Sequence, residues 1–215
     1  MKLLHIDSGI LGTASVSRQL SSDAVAEWRA QHPDTQVTYR DLVAQPLPHL
    51  SGEQLFAAAA DPSQRSAEIQ AILSESEKVL QEFLDADVVV IGAPMYNFGV
   101  PSQLKAWIDR IAIKGKTFSY GEAGPKGLAG GKTVIVASTR GGFYGAASPV
   151  AAFDHQEAYL KSVFGFLGVT DIRLLQAEGL NVSPEQKEKA IHQARGHVTN
   201  LVAAPARAIL AASAS

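Results

Sequence analysis

The sequence predicts an α/β protein built on one doubly wound parallel sheet. Short apolar or alternating runs rich in β-branched residues alternate with longer stretches whose apolar residues recur at helical spacing. The run at 88–91 (Val-Val-Val-Ile) is apolar throughout, which is typical of a parallel strand covered on both faces. No internal repeat or linker interrupts the alternation, so we expect a single domain over residues 1–215.

Each expected strand has its own signal in the sequence. The first runs from Lys2 to Asp7, and the second follows Pro33 and alternates in polarity. The third breaks abruptly at Gly92, and the last two are rich in β-branched or aliphatic residues. The five expected strands are 2–7, 35–40, 88–91, 132–138 and 170–177.

The helices are predicted from apolar stripes and from their capping residues. Ser51 and Ser183 are expected N-caps, and Pro184 suits a first helical position. The Gly-rich stretch 115–131 is interpreted as a long excursion, and the Ala-rich tail 203–215 is expected to fray. The expected helices are 16–28, 51–60, a long helix from Ser63, 104–111, 154–167 and 183–202.

Composition excludes several classes of function. The net charge is −2 with charges scattered along the chain, whereas nucleic-acid binding usually requires a basic stripe. There is no cysteine, which excludes disulfides, thiolate metal sites and cysteine nucleophiles, and no metal site is predicted. No apolar run reaches the length of a membrane span, and His5 and Asp7 cut the first apolar run. We therefore expect a cytoplasmic protein with neither nucleic acid nor membrane as partner.

The loop after the first strand is a candidate anion site. It contains Gly9 and enters a helix at Ser15, Val16 and Ser17. Free backbone N–H groups and the helix dipole favour a phosphate there, and the two serines add hydroxyl donors. The alternative is an ordinary serine N-cap. The loop has neither the Walker A order nor the third glycine of a dinucleotide fingerprint.

Two further loops follow buried strands. One combines aromatic and amide side chains, which suits a flat ligand, although its aromatics could instead seal the core. The other contains paired glycines, whose backbone can approach a ligand closely, although such a pair also occurs in simple turns. The candidate residues of the first are Pro94, Met95, Tyr96, Asn97 and Phe98, and those of the second are Thr139, Arg140, Gly141 and Gly142.

The three loops follow the first, third and fourth strands. In the strand order 2-1-3-4-5, the first and third strands flank the topological switch point and the fourth is next to it. A phosphate site, an aromatic loop and a Gly-rich loop would then converge at one edge of the sheet. A flat ring with a phosphate tail fits that arrangement, so the sequence predicts bound flavin mononucleotide (FMN).

The chain resembles the FMN-dependent NADH-azoreductases of the flavodoxin-like quinone reductase superfamily. This resemblance implies a flavodoxin-like three-layer sandwich, with a five-stranded parallel sheet and helices on both faces. It also implies a homodimer with active sites at the subunit interface, NADH or NADPH as donor, and quinones or azo compounds as acceptors. The matching segments are Ser15–Ser17, 93–98, 101–109, Phe118 with Tyr120, Thr139–Gly142, 164–168 and 177–179.

The resemblance also implies roles for individual residues. Ser15–Ser17 match the phosphate segment, Met95–Phe98 the segment along the isoalloxazine, and Thr139–Gly142 the loop near its pyrimidine side. Gly9 stands where the family often has a phosphate-contacting serine, and Thr139 stands where serine is common. No side chain is expected to act as an acid or base, because the flavin N5 carries the hydride in a ping-pong scheme, assisted by Asn97 and Gly141. The expected substrate-pocket residues are Phe98, Tyr120, Tyr144 and Phe164.

Two other functions remain open at this point. One is a flavodoxin-like FMN-binding electron carrier that does not oxidise NAD(P)H directly. The other is a non-flavin α/β protein such as a nucleotide-binding regulator. The near-neutral charge and the long excursion at 114–132 favour the enzyme over a carrier, since such carriers tend to be strongly acidic and need no excursion.

Overall fold

The computed structural model describes residues 1–122 and 124–204, so the expected frayed tail lies almost wholly outside the described residues. Seven strands and six α-helices occur in them. The strands are β1 (Lys2–Asp7), β2 (Gln36–Asp41), β3 (Val88–Pro94), β4 (Phe118–Gly121), β5 (Gly124–Gly127), β6 (Thr133–Thr139) and β7 (Asp171–Ala177). The helices are α1 (Val16–Gln31), α2 (Gly52–Ala59), α3 (Ala67–Asp85), α4 (Ser102–Ile111), α5 (Gln156–Phe166) and α6 (Pro184–Ala203).

Five strands form one parallel sheet in the order β2-β1-β3-β6-β7. These are the five strands expected from the sequence, in the expected spatial sequence. The numbering differs from 2-1-3-4-5 because the excursion at 115–131 contains the antiparallel hairpin β4–β5. These two strands were not predicted, because each is four residues long and half of β5 is glycine, which hides the strand pattern.

Helices cover both faces of the sheet, as predicted. Alternate residues of β3 point to opposite faces, so Val88 and Val90 pack with α1 and α6, while Val89 and Ile91 pack with α3, α4 and α5. Trp107 of α4 is fully buried in the second of these layers. The result is a three-layer arrangement whose central strands are inaccessible to water on either side.

Capping decides where the helices begin. The Oγ atoms of Ser51 and Ser183 accept from the backbone N–H groups of Gln54 and Gln186, which confirms both expected N-caps. The long third helix does not begin at Ser63, because 62–64 form a separate 3-10 turn and Ser66 caps α3 instead. Within the described ranges, no helix is both long and apolar enough to cross a membrane.

Candidate active site

The carboxyl ends of β1, β3 and β6 lie at one edge of the sheet, and backbone hydrogen bonds fix the loops that follow them. The N–H of Ser8 donates to the carbonyl of Gly92 at 3.2 Å, and that of Met95 to Thr139 at 2.8 Å. The N–H of Arg140 donates to Ala177 at 2.9 Å. A cleft opens between the loops, lined by Leu11, Ala14, Ser15, Val16, Pro94, Met95, Tyr96, Thr139, Arg140, Gly141, Leu180, Asn181 and Lys187.

The hydroxyl of Ser15 does not cap α1. Ser15 occupies the N-cap position, but its side chain accepts no hydrogen bond from the first turn. Its Oγ instead pairs with Ser17 Oγ at 3.0 Å, and both side chains are buried. Two hydroxyls therefore sit together at the start of a sixteen-residue helix, where its dipole favours an anion.

Gly9 packs directly on this hydroxyl pair. A Cβ placed on Gly9 would lie 2.3 Å from Ser15 Oγ and 3.2 Å from Ser17 Oγ. A serine at position 9 therefore requires a different arrangement of Ser15. In the described residues the Gly9 N–H donates to no acceptor, while the N–H groups on either side of it are engaged. The glycine thus offers a backbone donor next to the candidate phosphate site.

The second loop is a tight turn of unusual backbone geometry. The backbone N–H and carbonyl of Tyr96 bond to those of Gly99 at 3.1 and 3.0 Å. Between them, Asn97 has φ 47° and Phe98 has φ 69°, both in the left-handed region. Asparagine tolerates this region, but a bulky residue there is an outlier of the kind found at functional sites.

The turn is also tied to the first loop. The hydroxyl of Tyr96 accepts a hydrogen bond from the N–H of Ile10 at 3.1 Å. Tyr96 therefore holds the candidate phosphate loop at a fixed distance from β3, in addition to lining the cleft.

The third loop, which follows β6 and contains Gly141 and Gly142, is hydrogen-bonded to the loop after β7. The carbonyl groups of Gly141 and Gly142 accept from the N–H groups of Asn181 and Gly179 at 3.0 and 2.9 Å. A Cβ on Gly141 would lie 2.6 Å from Asn181 Nδ2, so only glycine fits there without displacing that amide. In the part of the chain described, the N–H groups of Gly141 and Gly142 find no acceptor, which leaves them available to a ligand.

The Arg140 guanidinium is directed to carboxylates. Its side chain is 1% exposed and forms ion pairs with Asp154 at 3.1 Å, with Glu178 at 2.8 Å and with Glu157. Glu178 also accepts from the N–H of Tyr144 at 3.0 Å. Arg140 therefore anchors the loop that was predicted to bind the cofactor, and its charge is already compensated.

The predicted substrate-pocket residues do not share one environment. Phe98 is 44% exposed and its ring lies 6.1 Å from that of Tyr144, centroid to centroid. Tyr120 lies on β4, is 62% exposed and does not line the cleft of its own chain. Phe164 is fully buried against Phe83 and Trp107 and does not line the cleft of its own chain. Aromatic frequency alone could not show which face of α5 it occupies.

Sequence reasoning missed the contribution of the loop after β7. Asn181 and Leu180 line the cleft together with Lys187 from the first turn of α6. The signal was available, because this loop also follows a strand of the parallel sheet and so reaches the same edge. No Gly pair or aromatic marked it. Leu11 and Ala14, which belong to the candidate first loop but were given no role of their own, also line the cleft.

Charged groups beside the first loop are strongly coupled. Arg18 forms a bidentate pair with Asp41 at 2.6 and 2.7 Å, which lowers the pKa of that carboxyl to about 2. Burial, together with the Asp7 carboxylate, raises the pKa of the Tyr39 phenol to about 12.

The chemistry of the cleft as a whole suits an organic ligand. No cluster of His, Asp and Glu suited to a metal ion occurs in 1–122 or 124–204. Hydroxyls at one end of the cleft, an apolar middle and free N–H groups at the other complement a flat ligand with an anionic tail.

Comparison with known proteins gives a consistent family. A family model described as a flavodoxin-like fold matches residues 1–202. A protein of Rhizobium meliloti (strain 1021), named FMN-dependent NADH:quinone oxidoreductase, is 59% identical over 194 residues, covering 90% of this chain and 93% of the relative. A protein with the same name from Bradyrhizobium sp. (strain BTAi1 / ATCC BAA-1182) is 56% identical over 203 residues, covering 94% of this chain and all of the relative.

Solved structures point the same way. The azoreductase AzrA has a TM-score of 0.85 and 28% identity, covering 94% of this chain and 99% of its own. An FMN-dependent NADH-azoreductase from Bacillus anthracis str. Ames Ancestor, in complex with FMN, has a TM-score of 0.82 and 27% identity over the same shares of the two chains. The chain therefore belongs to the flavodoxin-like family of FMN-dependent NADH:quinone oxidoreductases.

Proposed function

We propose that this chain is an FMN-dependent NAD(P)H:quinone oxidoreductase that also reduces azo compounds. The observation that carries the proposal is the convergence of three loops on one cleft. Paired serine hydroxyls lie at a helix N-terminus on one side, and unpaired glycine N–H groups lie on the other. The names of the relative from Rhizobium meliloti and of the Bacillus anthracis azoreductase support this activity over an electron carrier.

The residues present fit FMN. Gly9 and Gly141 are two positions where a Cβ would meet a neighbouring polar side chain at 2.3 and 2.6 Å, so both loops are built for close backbone approach. Ser15, Ser17 and the first N–H groups of α1 would hold the phosphate. The segment from Pro94 to Phe98 would lie along the ring, and Thr139–Gly142 would face its pyrimidine side.

When bound, FMN would supply the redox chemistry, which is hydride transfer from NADH or NADPH to a quinone or azo compound through one shared site. The N–H groups of Gly141 and Gly142 stabilise negative charge at the pyrimidine edge. The Asn97 amide orients the ring, and Phe98 and Tyr144 form apolar walls on the acceptor side. Proton abstraction by a side chain has no part in this scheme.

The active unit is a homodimer, with Tyr120 completing the acceptor pocket of the partner subunit. Three facts support this. The cleft in one chain has a volume of about 130 Å³, below the roughly 300–1,000 Å³ of pockets that enclose small ligands. Tyr120 is exposed and away from its own cleft. Phe56 and Leu55 on α2 are 81% and 58% exposed, which is costly for apolar side chains without a partner.

Donor choice and location complete the proposal. The relatives' names specify NADH, and we expect this chain to use it too, with NADPH as the tested alternative. The whole chain acts as one FMN-binding domain in the cytoplasm, where both nicotinamide donors are produced.

One spectroscopic titration tests the function. Purified protein reconstituted with FMN is expected to show flavin absorbance, to bleach anaerobically with NADH or NADPH, and to recover on addition of a quinone. An azo dye should restore the absorbance and lose its own colour. Failure of both donors to bleach bound FMN would favour the electron carrier, and failure to bind FMN would favour the non-flavin alternative.

A further inference from the structure

Arg18 lies beside the candidate phosphate site but does not point at it. It is the third residue of α1, where a cation opposes the helix dipole, and the first turn contains no acidic residue. Its side chain is 14% exposed. Both terminal nitrogens bind the Asp41 carboxylate, at 2.6 and 2.7 Å. The Asp41 carboxylate therefore compensates the positive charge. Nη1 also donates to the Tyr39 hydroxyl at 3.4 Å and lies 4.0 Å from Asp7, whereas the Nε–H is directed to a different group.

That Nε–H donates to the carbonyl oxygen of Gly9 at 2.8 Å. The adjacent residue is held from the other side, because the N–H of Ile10 donates to the hydroxyl of Tyr96. Ser8 is fixed as well, through its N–H and its Oγ, both to the carbonyl of Gly92. The peptide groups around Gly9 are thus fixed in three directions, while its own N–H donates to no acceptor within 1–122 and 124–204.

Asp41 is itself immobilised. Its Oδ1 accepts from the backbone N–H groups of Val43 and Ala44, at 2.9 and 3.2 Å. The carboxylate is therefore positioned by the end of β2, and a bidentate pair transmits that position to the planar guanidinium. Asp41, Arg18 and Gly9 form a continuous rigid connection from a sheet strand to the candidate phosphate loop.

We propose that Arg18 and Asp41 are positioning residues that preorganise the Gly9 N–H and the Ser15 hydroxyl for the FMN phosphate, and so set the preference for FMN over riboflavin. The proposal rests on the proposed function, since it assumes that FMN binds in this cleft. Arg18 acts through the Gly9 peptide and not as a ligand of the phosphate. Preorganisation of this kind raises affinity by removing the cost of ordering the loop on binding.

The test compares FMN with riboflavin, which lacks only the phosphate, by fluorescence titration of the apoprotein. Arg18→Met keeps the apolar stem of the side chain and removes the guanidinium, and with it the hydrogen bonds to Gly9 and to Asp41. We expect its Kd for FMN to rise about tenfold, the effect of about one charge-assisted hydrogen bond, while the Kd for riboflavin stays nearly constant. Arg29→Met, at the exposed end of the same helix, is the matched control and should change neither Kd.

Asp41→Asn separates positioning from direct binding. If Arg18 acts through Gly9, then loss of the Asp41 carboxylate that anchors Arg18 should raise the Kd for FMN. The Kd of the Arg18→Met/Asp41→Asn double variant should then be no higher than that of Arg18→Met alone. Tighter FMN binding by Asp41→Asn would overturn the proposal, because the released guanidinium would then be a phosphate ligand. An unchanged ratio of FMN to riboflavin affinity in both variants would overturn it as well. Thermal unfolding of each apoprotein identifies a variant that does not fold, and the other variant then decides.

These outcomes are distinct from a failure of the proposed function. Unaltered protein that binds no FMN, or whose FMN no nicotinamide reduces, would contradict the function itself. If the unaltered protein prefers FMN over riboflavin and the Arg18→Met variant has the same preference, only the role of Arg18 is contradicted.

Discussion

At the scale of single residues, Gly141 determines how closely the third loop can approach a ligand. Gly141→Ala places a Cβ 2.6 Å from Asn181 Nδ2 and 3.1 Å from its Cγ, which displaces an amide that lines the cleft. We expect the Kd for FMN, measured by fluorescence titration, to rise about tenfold, within the range of one overpacked contact. Gly165→Ala is the control, because a Cβ there meets nothing within 4 Å.

A second variant identifies the cause. Asn181→Ala removes the amide, leaving only a Cβ at 3.4 Å from the new methyl, an ordinary contact. The effect of Gly141→Ala should therefore be smaller in the Asn181→Ala background, because residues in contact are not additive. Equal effects in both backgrounds would show that the loss comes from the backbone of the third loop.

Asp41 gives a residue-scale prediction about pH. Its pKa is about 2 in the folded chain against an ordinary 3.8, chiefly because Arg18 bonds to it. A lowered pKa contributes stability above about pH 4 that is lost as the pH falls toward 2. A shift of slightly under two units corresponds to about 2 kcal/mol. The measurement is the difference in free energy of unfolding between the native apoprotein and Asp41→Asn. Lowering the pH from about 4 to about 2 should reduce this difference by about 2 kcal/mol, and a constant difference would contradict the lowered pKa of Asp41.

At the scale of elements, the Asn97–Phe98 turn stores backbone strain that a matched pair of variants can measure. At φ 69° an alanine keeps the strain and a glycine removes it. Phe98→Gly should therefore be more stable than Phe98→Ala by about 1 kcal/mol, the reverse of the usual order. Chemical unfolding gives the difference. Greater stability of the alanine variant would mean that the turn relaxes when the ring is lost.

The same pair tests function. Both variants lack the ring that packs beside Tyr144, so both should show a raised KM for quinone. Asn97→Gly is the control for the turn itself and should leave stability nearly unchanged, because asparagine already tolerates left-handed geometry. If the KM for quinone changes with the stability of each variant and not with the loss of the ring, Phe98 does not belong to the acceptor pocket.

Periodicity predicted the elements well where burial is regular along them. The all-apolar β3 and the stripe of Leu104, Trp107, Ile108 and Ile111 in α4 are both buried as expected. It failed for the β4–β5 hairpin, whose Gly127 packs against the backbone of Gly168, 41 residues away. A Cβ at Gly127 would lie 2.2 Å from that backbone, a tertiary constraint with no local signal.

The candidate site was predictable to a similar degree. Strand-end position and residue type identified Ser15, Met95 and Gly141, because parallel strands bring their carboxyl ends to one edge. The supporting network around Arg18 and Arg140 was not predictable. Which carboxylates surround a guanidinium depends on side chains from three or more elements, and sequence spacing says nothing about their meeting.

At the scale of the whole molecule, α2 and the segment before it expose three large apolar side chains. Leu50, Leu55 and Phe56 are 44%, 58% and 81% exposed, and they lie close together in sequence. Arg65 holds the end of α2 in place through the carbonyl groups of Ala57 and Ala60, at 2.8 and 2.9 Å. A rigidly held apolar surface of this kind is typical of a permanent interface.

The proposed homodimer therefore makes a direct prediction for Phe56. Phe56→Glu should weaken dimerisation at least about 100-fold, because a charge left unpaired in an interface costs roughly 3–5 kcal/mol. Sedimentation equilibrium measures the change, and Val37→Glu on β2, also at an exposed apolar position, is the control.

If the acceptor pocket needs Tyr120 of the partner subunit, the monomeric variant should bind FMN yet turn over quinone slowly. A monomer with full turnover would leave dimerisation without a role in the site, and a variant that stays dimeric would move the interface away from α2.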